Sequence, residues 1–221
     1  RHDLRLIPTL IDFPIGFEIS KFPTYIRQLE FIVDRYKHDN TIMAWNLKNE
    51  ADLDFKANGK DEVIRWADLM IDTYKQIDAQ HPLTIGWANI ENALILENKL
   101  DYISLHHYAS ITELKEFLET RELAEKPIVI EEFGIPSNKS IWNLYLHSES
   151  RQAKEIKTRI DFYDLHKLPW IIWTLYDFDE APSDVFGKNP LARSKQKGFG
   201  ILKVDGQKKS VVTLIENSFK R

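Results

Sequence analysis

Apolar positions along the chain fall in short continuous runs, separated by stretches in which they recur at helical spacing. The first run, Leu4 to Phe13, is closed by Pro14 and Gly16 and reads as a buried strand. Tyr25 to Tyr36 follows, with Ile26, Leu29, Ile32, Val33 and Tyr36 on one helical face and Pro23-Thr24 as a start. Ile42 to Leu47 is the next strand. Asp61 to Gln80 repeats the helical pattern through Val63, Ile64, Ala67, Met70, Ile71 and Tyr74. Leu83 to Trp87 reads as a strand, Glu91 to Lys99 as a short helix or loop, and Tyr102 to His107 as a strand. Ser110-Ile111-Thr112-Glu113 fits a capping box that opens a helix running to about Ala124. Pro127 to Glu132 is a strand, Ser148 to Lys167 a long charged helix, and Pro169 to Tyr176 a strand rich in aromatic and β-branched residues. Asp177 to Lys197 reads as a polar, irregular loop and Val211 to Phe219 as a closing helix.

Strands alternate with helical segments six times, and each strand is continuously apolar instead of alternating in and out. Both features predict an α/β fold with a parallel sheet covered by helices. A doubly wound sheet and a (β/α)8 barrel both satisfy the pattern. A doubly wound dinucleotide fold would carry a Gly-rich turn after its first strand, and none is present. No repeat, low-complexity tract or linker interrupts the chain, so residues 1–221 read as one domain.

Composition narrows the chemistry. The 221 residues include 43% hydrophobic and 29% charged residues, which is ordinary for a globular domain. The net charge of −4 comes without any long basic run, which argues against nucleic acid as a partner. There are no cysteines, which excludes disulfides, thiolate metal sites and a Cys nucleophile. No apolar run is long enough to span a bilayer, so no membrane partner is expected. The start, Arg1-His2-Asp3-Leu4, has neither the basic residues nor the apolar stretch of a signal peptide.

Two strands end abruptly in carboxylates, Ala44-Trp45-Asn46-Leu47-Lys48-Asn49-Glu50 and Ile128-Val129-Ile130-Glu131-Glu132-Phe133-Gly134. An acid at the end of a buried strand costs desolvation energy, which points to a chemical use. At one end of a parallel sheet, two carboxyl groups suit glycoside hydrolysis: one protonates the leaving oxygen, and the other attacks or activates water. The ends of barrel strands are where such enzymes place their sites.

These residues resemble known motifs. Trp45-Asn46-Leu47-Lys48-Asn49-Glu50 is similar to the fourth-strand motif of clan A glycoside hydrolases, and Glu132-Phe133-Gly134 to the seventh-strand nucleophile motif. His106-His107-Tyr108 is similar to the His-x-Tyr of the sixth strand, and Trp173-Thr174-Leu175 to the eighth-strand Trp with its small polar neighbour. Gly200-Ile201-Leu202-Lys203-Val204-Asp205-Gly206, followed by Lys209, is similar to the stretch after the eighth strand. Together they most resemble glycoside hydrolase family 5, of the cellulase and mannanase type.

The resemblance implies a (β/α)8 TIM barrel in which this chain begins at the third strand and lacks the first two βα units. A complete barrel takes about 250 residues. Asp12, at the end of the first run, stands where many members of the family carry His. Strand edges left by absent units would favour self-association.

The implied activity is retaining, endo-acting cleavage of β-1,4 bonds in a plant-type polysaccharide, β-mannan ahead of β-glucan, without metal or organic cofactor. A non-catalytic carbohydrate-binding pseudoenzyme on the same barrel is the alternative. The family implies a secreted or periplasmic location.

The implied roles are specific. Glu50 would be the general acid/base, which calls for a protonated carboxyl in the first step. Glu132 would be the nucleophile. The two carboxyl groups are expected about 5 Å apart, as retention requires. Adjacent strand residues face opposite ways, so only one of Glu131 and Glu132 readily enters the barrel mouth. Phe133-Gly134 favours Glu132, leaving Glu131 to a supporting or ion-pairing role.

Asn49 would hold a substrate hydroxyl. His106 and Tyr108, facing the same way on a strand, would position nucleophile and sugar, with His107 structural. Trp173 would form a floor for a sugar ring, while Trp87, Trp142 and Tyr145 would serve outer subsites. Trp66 and Trp170 read as core or helix-packing residues. The acidic clusters Asp52 and Asp54, and Asp177, Asp179, Glu180 and Asp184, lack calcium-loop spacing and read as solvated loops.

Overall fold

Continuously apolar runs need partners on both faces, and in the computed structural model of the chain they find them as parallel strands flanked by helices. The structure describes residues 3–12, 15–120, 126–138 and 148–218. It divides into two compact units, Arg1–Glu131 and Glu132–Arg221.

The first unit runs β1 (Thr9–Ile11), α1 (Phe22–Tyr36), β2 (Trp45–Lys48), α2 (Phe55–Asn58), α3 (Lys60–Ile77), β3 (Leu83–Thr84), β4 (Gly86–Trp87), β5 (Ile103–His106), α4 (Ile111–Thr120) and the start of β6 (Ile128–Phe133). β1, β2 and β3 lie side by side in parallel, with Thr9 opposite Asn46 and Trp45 opposite Leu83. β4 pairs in parallel with β5, Gly86 opposite Ser104, and β5 adjoins the start of β6 through Ile103 N–H to Pro127 O at 2.9 Å. The run expected as one strand over 83–87 is thus split at the buried Ile85 into two short strands that serve different neighbours.

Helix starts follow the expected chemistry. Pro23 sits in the first turn of α1, where its missing N–H costs nothing. Asp61 and Glu62 lie in the first turn of α3, where the helix dipole favours acids. The Ser110 hydroxyl accepts from Glu113 N–H at 3.2 Å, closing one half of the expected box at α4. That helix is described to Thr120, and its expected end near Ala124 lies outside the described residues.

The core of this unit is one apolar cluster. Leu29 and Val33 of α1, and Val63, Ala67, Met70 and Ile71 of α3, pack with Trp45, Leu47 and Leu83 of the strands. Trp66 belongs to it as expected, with Phe17 and Tyr25 edge-on at 5.3 and 6.1 Å.

The second unit holds the end of β6, then α5 (Glu149–Leu165), β7 (Trp170–Ile172), α6 (Ser183–Phe186), α7 (Pro190–Gln196) and α8 (Ser210–Ser218). Ser148 caps α5, its hydroxyl accepting from Arg151 N–H. Phe133 packs edge-on against Tyr163 at 5.0 Å and Trp170 at 5.7 Å. Burial pushes the Tyr163 phenol up to about 12, against the opposing pull of Arg159. The segment expected as an irregular loop over 177–197 contains α6 and α7, the latter capped by Asn189. Asp177 is no solvated loop acid. It pairs at 2.7 Å with the buried Lys209, which also donates to Ser137 Oγ at 2.7 Å. Among the described residues no helix is long and apolar enough to cross a membrane.

A buried acid holds the α3–β3 connection of the first unit. Asp78 accepts from Gln80 N–H, His81 N–H and Trp45 Nε1–H, and lies 2.7 Å from His81 Nδ1. Burial opposes its charge, but the backbone N–H groups and the His81 ring outweigh it, so the Asp78 pKa lies below the usual carboxylate range. A depressed pKa contributes stability above the unfolded value, about 3.9, which is lost as pH falls through the folded one. We expect Asp78→Ala to destabilise the fold by about 2–3 kcal/mol at neutral pH, because Trp45 Nε1–H loses its acceptor. The gap from the parent should shrink below about pH 4. Urea unfolding at neutral and acid pH checks both; a gap that stays constant with pH contradicts this account of Asp78.

Candidate functional site

The carboxylate of Glu50 follows directly from how β2 ends. The strand stops at Lys48, Asn49 N–H donates to Ile11 O at 3.0 Å, and Glu50 turns the chain into a short 3-10 helix, Ala51–Asp54. Glu50 makes this turn at φ 45°, ψ 50°, a left-handed conformation that a residue with a side chain adopts at a cost. Its side chain is 23% exposed, and Oε1 lies 3.2 Å from His106 Nδ1. His106 is itself buried at the end of β5.

Beneath this pair lies a buried polar layer. Glu131 Oε2 accepts from Asn46 Nδ2 and from Ser104 Oγ, each at 2.8 Å, and Oε1 accepts from the Tyr102 hydroxyl. Asn46 Oδ1 accepts from Gly86 N–H at 3.1 Å. Residues of β2, β4, β5 and β6 are thereby tied through one carboxylate. Burial, with the Glu131 carboxylate beside it, pushes the Tyr102 phenol up and keeps it the donor.

The donors to Glu131 are neutral, so of the supporting and ion-pairing roles expected of it, an ion pair is not what holds it. It shares an inner layer with Asn46 and Ser104, so alternation along the strand does not by itself choose Glu132 over Glu131.

Gly86 is the seat for the His106 ring. A Cβ at Gly86 would fall 2.8 Å from His106 Nε2 and 3.1 Å from Asn46 Nδ2. This is close approach, the use glycine has inside a strand.

The acids after Glu50 are not solvated as expected. Asp52 is buried and accepts four hydrogen bonds from residues 88–92; Asp54 pairs with the buried Lys48 at 3.0 Å. A cleft of about 320 Å³ opens beside His106, lined by Ala88, Asn89, Ile90, Tyr108 and Glu113 among others.

The remaining expected residues fall as follows. Asn49 is half-buried beside Glu50. Tyr108 does not continue the strand with His106. β5 ends at His106, Tyr108 N–H turns back to His106 O at 3.2 Å, and the residue is 40% exposed. His107 is buried with Nε2 3.1 Å from Ser110 O, a backbone anchor as expected. Trp87 is only 1% exposed, against Phe55 at 6.3 Å, so it presents no face on which a sugar could stack. The outer-subsite expectation for Trp87 is therefore corrected, since the ring is core. Trp142 and Tyr145 lie outside the described residues.

In the second unit, Glu132 is half-buried and precedes the buried Phe133 and Gly134. Trp173 N–H donates to Phe133 O at 2.7 Å, which brings the Glu-Phe-Gly and Trp-Thr-Leu segments together. A Cβ at Gly134 would fall 2.1 Å from Trp173 O, so only glycine fits. Trp173 is half-buried, with Phe178 tilted at 5.9 Å and Gln196 Oε1 3.4 Å from its Nε1.

Sequence reasoning missed Asn46, Gly86, Tyr102 and Ser104, and it read Asp52 as a solvated loop acid. A polar residue inside the apolar run over 42–47, and a glycine inside the run over 83–87, were the available signals.

Residues 18–179 match the family model for Cellulase, glycosyl hydrolase family 5. Mannan endo-1,4-beta-mannosidase 3 of Solanum lycopersicum is 25% identical over 203 residues, which take in 70% of this chain and 48% of that protein. The chain thus spans about half the length of that curated relative. Among solved structures, the β-D-glucuronidase of Dictyoglomus thermophilum superposes with TM-score 0.73 at 18% identity, over 94% of this chain and 38% of that one. A GH2 β-galacturonidase from Eisenbergiella tayi gives 0.72 at 14%, over 91% and 37%. At these identities the likeness is one of fold: the chain has the architecture of part of a (β/α)8 barrel, as expected.

Gly86→Ala should push the His106 ring off its seat, break its contact with Glu50, and destabilise the fold by about 1–3 kcal/mol through overpacking. Imidazole NMR signals of His106 and thermal unfolding test this. Unchanged His106 signals in a stably folded variant would refute the seat.

Proposed function

The chain belongs to glycosyl hydrolase family 5, and on that footing we propose that it is a retaining, endo-acting glycoside hydrolase cleaving β-1,4 bonds in a plant-type polysaccharide. β-Mannan is the favoured substrate and β-glucan the next. The reading takes residues 1–221 as one catalytic barrel domain. The observation that carries it is the Glu50–His106 pair at the C-terminal ends of buried parallel strands, beside an open cleft. The mannan preference is supported by the tomato relative, whose name specifies a mannan endo-1,4-beta-mannosidase.

Glu132 attacks the anomeric carbon while Glu50 gives its proton to the departing glycosidic oxygen. The bond to the leaving sugar breaks as a glycosyl ester forms on Glu132. Glu50 then takes a proton from water, which adds to the anomeric carbon and releases Glu132 with the configuration retained. Two carboxyl groups and water balance both steps, so the reading calls on no metal or organic cofactor.

Glu131 is the less suitable nucleophile, because both its oxygens already accept hydrogen bonds in the buried layer. His106 orients Glu50. Asn49 and Tyr108 hold sugar hydroxyls, and Trp173 offers a ring face to a sugar.

The test is reducing-sugar release by the full-length gene product from β-mannan, mixed-linkage β-glucan and xylan. The expected result is release from β-mannan above the others, lowered about 10²–10⁴-fold in kcat by Glu50→Gln and abolished by Glu132→Gln. Binding of a polymer without release from any of them would instead identify a carbohydrate-binding protein.

A further inference from the structure

We propose that Asp52 is a positioning residue for this reaction, a buried carboxylate that fixes the cleft wall beside His106, the partner of Glu50. The proposal rests on the hydrolase reading for its effect on catalysis, but its geometry stands apart from it. Asp52 lies two residues after Glu50, in the 3-10 helix that the Glu50 turn begins. Its Oδ1 accepts from Ala88 N–H at 2.9 Å. Its Oδ2 accepts from Asn89 N–H at 3.0 Å, Asn89 Nδ2 at 2.8 Å and Asn92 Nδ2 at 3.0 Å. All four donors are neutral and come from one loop.

That loop forms one side of the cleft. Ala88, Asn89 and Ile90 wall it, together with the segment that carries His106 and Tyr108. Its own backbone bonds are local: Asn92 N–H to Asn89 O at 3.0 Å, Ala93 N–H to Ile90 O at 3.1 Å and Ile95 N–H to Asn92 O at 3.0 Å. The other end of the tie is firm. Ala51 is fully buried, and the buried Lys48–Asp54 pair at 3.0 Å holds the 3-10 helix.

When the tie is cut, the loop moves and the Glu50 turn stays. The cost therefore falls on binding a sugar in the cleft and little on the chemical step. Hydrogen bonds to a charged acceptor are the strong ones, so a single substitution is enough to show it.

The experiment compares the parent with Asp52→Asn, which keeps the volume but turns an acceptor into a donor facing donors. KM on the active polymer should rise about tenfold, with kcat within about threefold, and amide exchange at Ala88 and Asn89 should quicken about tenfold while Trp45 and Leu47 hold. Asn92→Ala should give a smaller KM rise, with no further rise when combined with Asp52→Asn, since the two share one tie.

A fall in kcat at unchanged KM would mark a purely structural acid and overturn the proposal. So would exchange that quickens equally across the unit, or not at all at Ala88 and Asn89. If the parent hydrolyses and binds none of the three polymers, the hydrolase reading fails by itself. Exchange at Ala88 and Asn89 then still decides whether Asp52 holds the loop.

Discussion

A half-buried carboxylate set between strands must be met by donors, and how Glu131 is met governs the first unit. Its two oxygens draw Asn46 from β2, Ser104 from β5 and the Tyr102 hydroxyl to one point, and Asn46 reaches on to the Gly86 amide of β4. Left without these donors, such an acid would cost several kcal/mol. With them it sets which residues of neighbouring strands stand opposite one another. Gly86 is then pressed against His106, and His106 against Glu50. The position of the proposed acid/base is thus inherited from an acid one layer deeper.

The same device recurs at the loops. Asp52 gathers residues 88–92, Asp78 gathers residues 80 and 81 with Trp45, and Asp101 accepts from Leu83 N–H at 2.8 Å. In the second unit, Gln152 does the work from the donor side. Its Nε2 lies within hydrogen-bonding distance of the carbonyls of Ile135, Gly198, Phe199 and Gly200. Lys209 adds Asp177 and Ser137. Buried polar side chains fix the connections, while the apolar runs fix the strands they connect.

This division explains what was legible in the sequence. Strand and helix order was readable because parallel strands buried on both faces must be continuously apolar, and α1 and α3 kept clean helical faces. The split at Ile85 was not readable, since its two halves are equally apolar and differ only in their neighbours. Tyr108 was expected on a strand with His106 because periodicity does not report where pairing stops. Glu50 and Glu132 stood out as acids ending apolar runs. Asp52 stood out only as a loop acid, because its donors lie 36 to 40 residues away. Trp87 was expected at the surface from its place at a strand end, but the Phe55 ring covers it.

The most direct test of the central claim is mass spectrometry of the full-length gene product after reaction with a fluorinated mannoside that forms a slowly hydrolysed glycosyl-enzyme. The account predicts one covalent adduct, on Glu132. An adduct on Glu131, or hydrolysis of β-mannan with inverted configuration and no adduct, would contradict it.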